Sequence, residues 1–239
     1  MPDKPVVQYR YIPNADYFET WDLQEQLLQN IVQIKLANKQ KEIPEITPNY
    51  LLFCEHPHVY TLGKNGKKEH LLLNEEELKK INAVFVPINR GGDITYHGKG
   101  QLVGYPILNL DYFGTDLHAY MRNLEEVIIQ TLQQYNIQGY RIPKLTGVWV
   151  DVAGEPQKIC AFGVRCSHWV TMHGFAFNIN TDLKYFEYIV PCGIQDKGVT
   201  SLAKVLGVTE IDEQEVHKTV LHQFEQVFDC IIESETATV

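Results

Sequence analysis

The 239 residues are 44% hydrophobic, 11% aromatic and 21% charged, which is globular composition and enough apolar material for one large core or two modest ones. A net charge of −9 argues against broad contact with nucleic acid or anionic lipid, and apolar runs of only a few residues exclude a membrane-spanning helix. The N-terminal stretch MPDKPVVQYRYIP lacks the apolar middle of a secretory signal, and Cys54, Cys160, Cys166, Cys192 and Cys230 follow no repeated spacing. Reduced thiols and a cytoplasmic location are the expectation.

The spacing predicts an amphipathic helix over residues 16–38, with Leu27, Ile31 and Ile34 on one face. NYLLFCEH reads as a buried strand and VYTLGK as a second, running into the turn-rich, basic loop GKNGKKE at 63–69. Asn74 followed by Glu77 is the signature of a capped short helix. AVFVPIN is another strand, ending at Gly91 and Gly92, and QLVGYPILNL another. A second long helix is expected over 116–135, with Leu117, Met121, Leu124, Ile128 and Leu132 aligned. Then GVWVDV, KICAFGVRC and VTMHGFAFNI give three antiparallel strands with tight connections. A short helix near Ser201 and a final one over 212–228, aligned on Val216, Val220, Phe224 and Val227, complete the chain. The expected architecture is α+β: a mixed, largely antiparallel sheet with helices packed on it, in a single domain over 1–239. Residues 201–239 are set apart as a smaller, helical C-terminal extension.

Chemistry concentrates in three places. RGGDITYHGKGQ, residues 90–101, puts four glycines among polar side chains of several kinds. That density lets backbone approach a ligand closely, although the phosphate-loop spacings are missing. An apolar-ligand loop, a thioester-handling loop and a nucleotide loop all fit. FEYIVPCGI holds Cys192 between a proline and a glycine, a rigid turning point suited to presenting a thiol. Lys158 opens the apolar strand KICAFGV. An ammonium near a thiol stabilises the thiolate, and a neutral lysine can act as a base, whereas a strand-end lysine is ordinarily just solvated. The groups Cys54–His56–His58 and Cys166–His168–His173 have no metal-ligand spacing, so no metal is expected. His97 and His173 each precede a glycine and could polarise something in a pocket.

Taken together, RGGDITYHGKGQLVGYP, GVWVD, KICAFGVR, HGFAFNINTDL and IVPCGI resemble, in order and spacing, the lipoyl(octanoyl) transferases of lipoate biosynthesis. EHPHVYTLGK is similar to the upstream segment of that family. The resemblance implies a fold like that of biotin and lipoate protein ligases. It implies that Cys192 carries an octanoyl group as a thioester and that Lys158 lowers its pKa. Arg90, Gly91, Gly92, Asp93, Ile94, Thr95, Tyr96 and His97 would line the acyl pocket. Ala161, Phe162 and Gly163, with His173, Gly174, Phe175 and Ala176, would complete it. The donor would be octanoyl-acyl carrier protein, delivering the acyl group on its phosphopantetheine, with no further cofactor. The acceptors would be apo-lipoyl domains of 2-oxoacid dehydrogenase E2 subunits and the glycine cleavage H protein. A monomer is the default. One departure is Lys99, where the family has proline after the His-Gly pair; it implies a less rigid loop and an added positive charge.

Carrier proteins of this kind are acidic, so an acidic enzyme needs a local basic face; Lys64, Lys67, Lys68, Lys99 and Arg165 are candidates. Three other readings compete. An ATP-dependent lipoate or biotin ligase would need no cysteine nucleophile. A non-catalytic docking module would tolerate loss of Cys192. A thiol hydrolase would release free octanoate.

Overall fold

The computed structural model describes residues 4–190 and 198–234. Its strands are β1 (Val6–Ile12), β2 (Tyr50–Cys54), β3 (Val59–Leu62), β4 (Val84–Pro87), β5 (Ile94–His97), β6 (Gln101–Ile107), β7 (Tyr140–Ile142), β8 (Leu145–Val152), β9 (Glu155–Ser167), β10 (Val170–Asn178), β11 (Gly198–Val199) and β12 (Ile231–Ser234). The helices are α1 (Tyr17–Asn38), α2 (Glu75–Lys80), α3 (Leu117–Gln134), α4 (Leu202–Leu206) and α5 (Glu213–Phe228), with 3-10 turns at Lys68–His70 and Leu183–Tyr188.

Local sequence sets the helix starts. The carboxylates of Asp16, Asp116 and Asp212 accept from the first free N–H groups of α1, α3 and α5, and Asn74 with Glu77 forms a reciprocal capping box on α2. These caps agree with the boundaries the sequence predicts.

The larger sheet runs β12-β1-β2-β6-β10-β9-β8-β7, with β11 adding to β9. Pairing is antiparallel through its centre and parallel at β12-β1-β2 and β11-β9. Its strands alternate between two cores. Leu51, Phe53, Leu102, Phe175 and Phe177 face α3 and α5, whereas Leu52, Cys54, Val103, Met172 and Ala176 face α1. With helices on both sides, β6 and β10 are buried along their whole lengths, so both read as nearly continuous apolar runs. A smaller sheet, β4-β3-β5, packs its aromatic face against the turn Leu183–Tyr188. This is the mixed, largely antiparallel α+β arrangement expected from the sequence. Among the described residues no helix is long and apolar enough to cross a membrane.

Residues beyond Ser201 enter the main core. Leu202, Val216, Val220 and Phe224 pack with Leu124, Ile128 and Leu132 of α3, and β12 pairs in register with β1. Phe224 is fully buried and stacks on Phe228 at 4.3 Å. Phe224→Ala should therefore lower global stability by roughly 3–5 kcal/mol while unfolding stays a single transition. Urea titration followed by circular dichroism and by tryptophan fluorescence tests this; two separate transitions would mean an independent C-terminal unit.

Candidate active site

A cavity of about 550 Å³ opens where the large sheet parts from itself. β8 follows β9 from Val152↔Glu155 as far as Val148↔Cys160, with a register shift between Val148 and Trp149. Beyond that pair β9 continues against β10, while β8 turns toward β7 through Ile142↔Leu145. Farther along β9, the Gly91 N–H bonds the Val164 carbonyl at 3.0 Å, so the segment between β4 and β5 roofs the gap. Glycines permit the close fits. Gly92 sits at φ +86°, and a Cβ at Gly163 would meet Arg90 Cδ at 2.9 Å and the Gly91 carbonyl at 3.0 Å.

Arg90, Gly91, Gly92, Asp93, Ile94, Thr95 and His97 line this cavity, together with Ala161, Phe162, Gly163, His173, Gly174, Phe175, Ala176 and Lys158. Tyr96 alone among the expected described residues lies elsewhere. It pairs across the small sheet with Tyr60, stacks on Tyr185 with centroids 5.0 Å apart, and hydrogen-bonds His58 Nδ1 at 2.7 Å. Its ring is taken up by the aromatic cluster of the small sheet, beside Tyr60, Tyr185 and Phe186. Cys192 lies outside the described residues. Its flanks are fixed: the Val190 N–H bonds the His70 carbonyl at 2.8 Å, and β11 pairs Gly198 with Gln157 and Val199 with Lys158.

Buried Arg90 donates from Nη2 to the Thr61 carbonyl at 2.8 Å and hydroxyl at 2.9 Å, and from Nη1 to the Gly91 carbonyl at 3.0 Å. Asp93 accepts from its neighbour's N–H at Ile94 and pairs with His70 Nδ1 at 2.6 Å. The Gln101 amide donates to the Tyr96 carbonyl and to Asn178 Oδ1, so its oxygen accepts from His97 Nδ1–H at 2.9 Å. Asn178 in turn donates to the Thr200 carbonyl, which tethers the chain just past β11. The same logic fixes His173. Asn89 donates to Glu25, so Asn89 Oδ1 accepts from His173 Nε2–H at 2.8 Å. His56 donates to the Ala15 carbonyl and accepts from the Tyr105 hydroxyl, which lines the cavity.

Burial drives the pKa of His97 and His173 down to about 3 and that of His56 to about 4. Repulsion from Arg90 adds to the effect on His97 and His173, with further repulsion from His56 on His97 and from Arg165 on His173. All three imidazoles are neutral at physiological pH. Lys158 places Nζ 4.8 Å from the centre of the buried Trp149 ring, and its stem runs past Gly147.

Several supporting residues carry no local sequence signal. Gln24 and Glu25 lie on α1, yet Gln24 Oε1 accepts the His173 N–H at 2.9 Å while Glu25 holds Asn89 and Arg165. Arg165 is thereby engaged with Glu25 rather than standing out as a solvated cation. Tyr17, Gln101, Tyr105 and Asn178 also border the cavity. The turn at Lys99 is pinned by Gly100, whose N–H reaches Glu55 and whose carbonyl accepts from Ile179, Asn180 and Thr181.

A family model for the lipoyl protein ligase A/B catalytic domain matches residues 16–225. The chain is 57% identical over 228 residues to an octanoyltransferase of Flavobacterium psychrophilum, covering 95% of this chain and 98% of that protein. It is 52% identical over 201 residues to one of Bacteroides fragilis, covering 84% and 88%. Among solved structures, a bi-partite lipoate protein ligase from Thermoplasma acidophilum superposes with a TM-score of 0.69 at 14% identity, covering 98% of this chain and 88% of that one. Lipoate-protein ligase A bound with ATP does so with a TM-score of 0.68 at 16% identity, covering 98% and 90%. At these identities the likeness is one of fold, and it agrees with the ligase-like architecture that the sequence resemblance implies.

The buried histidines make stability pH-dependent with a definite sign. Their folded pKa values lie below the unfolded value of 6.5, so unfolding takes up protons as pH falls below about 6.5. Their contribution is intact above that pH and is lost progressively toward pH 3–4, by about 1 kcal/mol per histidine per pH unit. Urea unfolding at pH 7.0 and 5.5 should show a loss of several kcal/mol. Equal stability at the two pH values would mean that these rings are hydrated and protonated in the native state.

Proposed function

Since the chain belongs to the lipoyl protein ligase A/B catalytic domain family and is an acyltransferase, we propose that it moves an octanoyl group from acyl carrier protein to the target lysine of lipoyl domains through a thioester on Cys192. The observation that carries this reading is the pairing of β11 with β9. The chain returning from the Pro-Cys-Gly segment is hydrogen-bonded beside Lys158, which borders the cavity.

In the first half-reaction the Cys192 thiolate attacks the octanoyl carbonyl on the phosphopantetheine arm. A new thioester forms, the old C–S bond breaks, and the departing thiolate takes a proton from the Lys158 ammonium. In the second, the amine of the acceptor lysine attacks the acyl-enzyme. The amide C–N bond forms, the Cys192 thiolate leaves, and Lys158 takes up the proton that the amine gives away. Thioester to amide runs downhill, so the reaction needs neither nucleotide nor metal. The cavity receives the acyl chain, each buried methylene contributing about 0.8 kcal/mol. The acceptors are the lipoyl domains of 2-oxoacid dehydrogenase E2 subunits and the glycine cleavage H protein, and the enzyme works as a cytoplasmic monomer.

Exposed Lys64, Lys67, Lys68 and Lys99 supply the basic face for acidic carriers. Reversing Lys64, Lys67 and Lys68 together to Glu should raise KM for octanoyl-acyl carrier protein at least tenfold and leave KM for a small octanoyl thioester unchanged. Equal effects on both donors, or none, would place carrier docking elsewhere.

Intact-protein mass spectrometry after mixing with octanoyl-acyl carrier protein, without ATP, tests the mechanism. Wild type should gain one octanoyl group, Cys192→Ala none, and Lys158→Ala should acylate at least a hundredfold more slowly. Transfer that appears only with octanoate and ATP would make the protein a ligase.

A further inference from the structure

Lys158 is held from behind by Gly147 and Trp149 of the GVWVD stretch, and these by a side-chain cluster that lies outside the motifs. Gly147, on β8, has φ +144°, a conformation that L side chains rarely adopt. A Cβ there would meet Lys158 Cε at 2.9 Å, the Cys160 carbonyl oxygen at 3.2 Å and Lys158 Cδ at 3.3 Å. The lysine stem therefore runs through the space a side chain would fill. Its Nζ ends over the Trp149 ring, which lies one residue beyond the Val148 register shift.

What fixes Gly147 is a carboxylate on a different element. Glu125 of α3 is fully buried, and its Oε1 accepts the Gly147 N–H at 3.2 Å. Its Oε2 is gripped by Arg122 at 2.6 Å and by Arg141 at 3.0 Å, and Arg141 also reaches Glu126 at 2.6 Å. A buried carboxylate between two guanidiniums is a stiff anchor, because neither charge can leave without stranding the other. Rigidity at Gly147 matters because a shift of about 1 Å in a proton-handling group can cost a factor of about 100 in rate.

We propose that Glu125 is a positioning residue for Lys158, acting through Gly147. The carboxylate fixes the Gly147 amide, and the bare face of Gly147 with the Trp149 ring fixes where the Lys158 ammonium stands at the cavity wall. This rests on the reading that Lys158 serves as the proton-handling group beside the Cys192 thiol. The alternative is that the Glu125 cluster merely staples α3 to the β7–β8 hairpin.

The test uses the full chain with octanoyl-acyl carrier protein, reading kcat, KM and the pH dependence of single-turnover acylation for Gly147→Ala, Glu125→Ala and Glu125→Gln. Gly147→Ala and Glu125→Ala should each lower kcat at least tenfold with KM changed less than twofold. In both, the rising limb of the pH–rate profile should move up by at least half a pH unit, since a displaced ammonium stabilises the thiolate less. Glu125→Gln keeps an oxygen for the Gly147 N–H and should recover most of the rate. A loss of folded protein with unchanged kcat per active site and an unmoved pH profile would overturn the proposal in favour of the staple. Should the Glu125 variants not fold, Arg141→Gln, which loosens the carboxylate from a partly exposed position, decides by the same two readouts. Lys158→Ala separates the proposal from its premise. An inactive Lys158→Ala beside a kinetically normal Gly147→Ala removes only the positioning role, whereas a fully active Lys158→Ala removes both.

Discussion

At Gly147 strand β8 stops following β9, and the cavity exists because of that divergence. A continuous β ladder leaves no room between neighbouring strands, which lie about 4.8 Å apart. Opening a space inside a sheet requires one strand to turn away and something else to satisfy the exposed edge. Here β8 turns toward β7, and the Gly91 N–H takes up the Val164 carbonyl on the edge that β8 gives up. The glycine-dense segment is thus a structural partner of β9 as well as a wall of the site. Gly163 on β9 has to be bare because Arg90 and Gly91 lie directly on it.

The polar residues around the cavity hydrogen-bond one another, which is how so many of them can border a largely apolar space. His97 gives its Nδ1–H to Gln101, Gln101 is fixed by Tyr96 and Asn178, and His173 is fixed by Asn89. Neutral imidazoles with committed N–H groups present mainly ring faces and edges to a ligand, and desolvating those costs little. Burial enforces their neutrality, and Arg90 reinforces it. Its permanent charge opposes protonation of His97 and His173, while Thr61 and Gly91 satisfy its own donors. The motif arginine therefore reinforces a neutrality that burial of the motif histidines already sets.

The parts legible in the sequence are those governed by short-range rules. Caps at Asp16, Asn74, Asp116 and Asp212 sit within three residues of the groups they satisfy, and the apolar faces of α3 and α5 repeat every turn. Strands β1, β7 and β12 are short or half-exposed and lie at or next to the sheet edges, with little alternation to read. β1 and β12 pair with segments far along the chain, whereas β7 pairs with adjacent β8 across a register irregularity. The site divides the same way. Motif residues of the glycine-rich segment, β9 and β10 converge on the cavity, but Gln24, Glu25 and Glu125 sit on helices whose polar positions look solvent-facing. Gln24 is buried because His173 at φ +57° turns its N–H toward α1, a conformation that no propensity announces. Tyr96 stands apart from the cavity for a related reason: membership of a motif does not say that a ring is taken up by the small sheet's own aromatic cluster.

The basic loop and the cavity roof are one mechanical unit. Gly63, Lys64 and Asn65 donate their N–H groups to the carbonyls of Asp93, Arg90 and Gly92, so the loop bearing Lys64 is laid against the segment bearing Arg90. A Cβ at Gly63 would collide with the Gly92 carbonyl, which leaves the two backbones no slack. Asp93 extends the unit through His70, whose carbonyl anchors Val190 at the entrance to the Pro-Cys-Gly segment. Displacing this loop would therefore displace the cavity roof and Val190 with it.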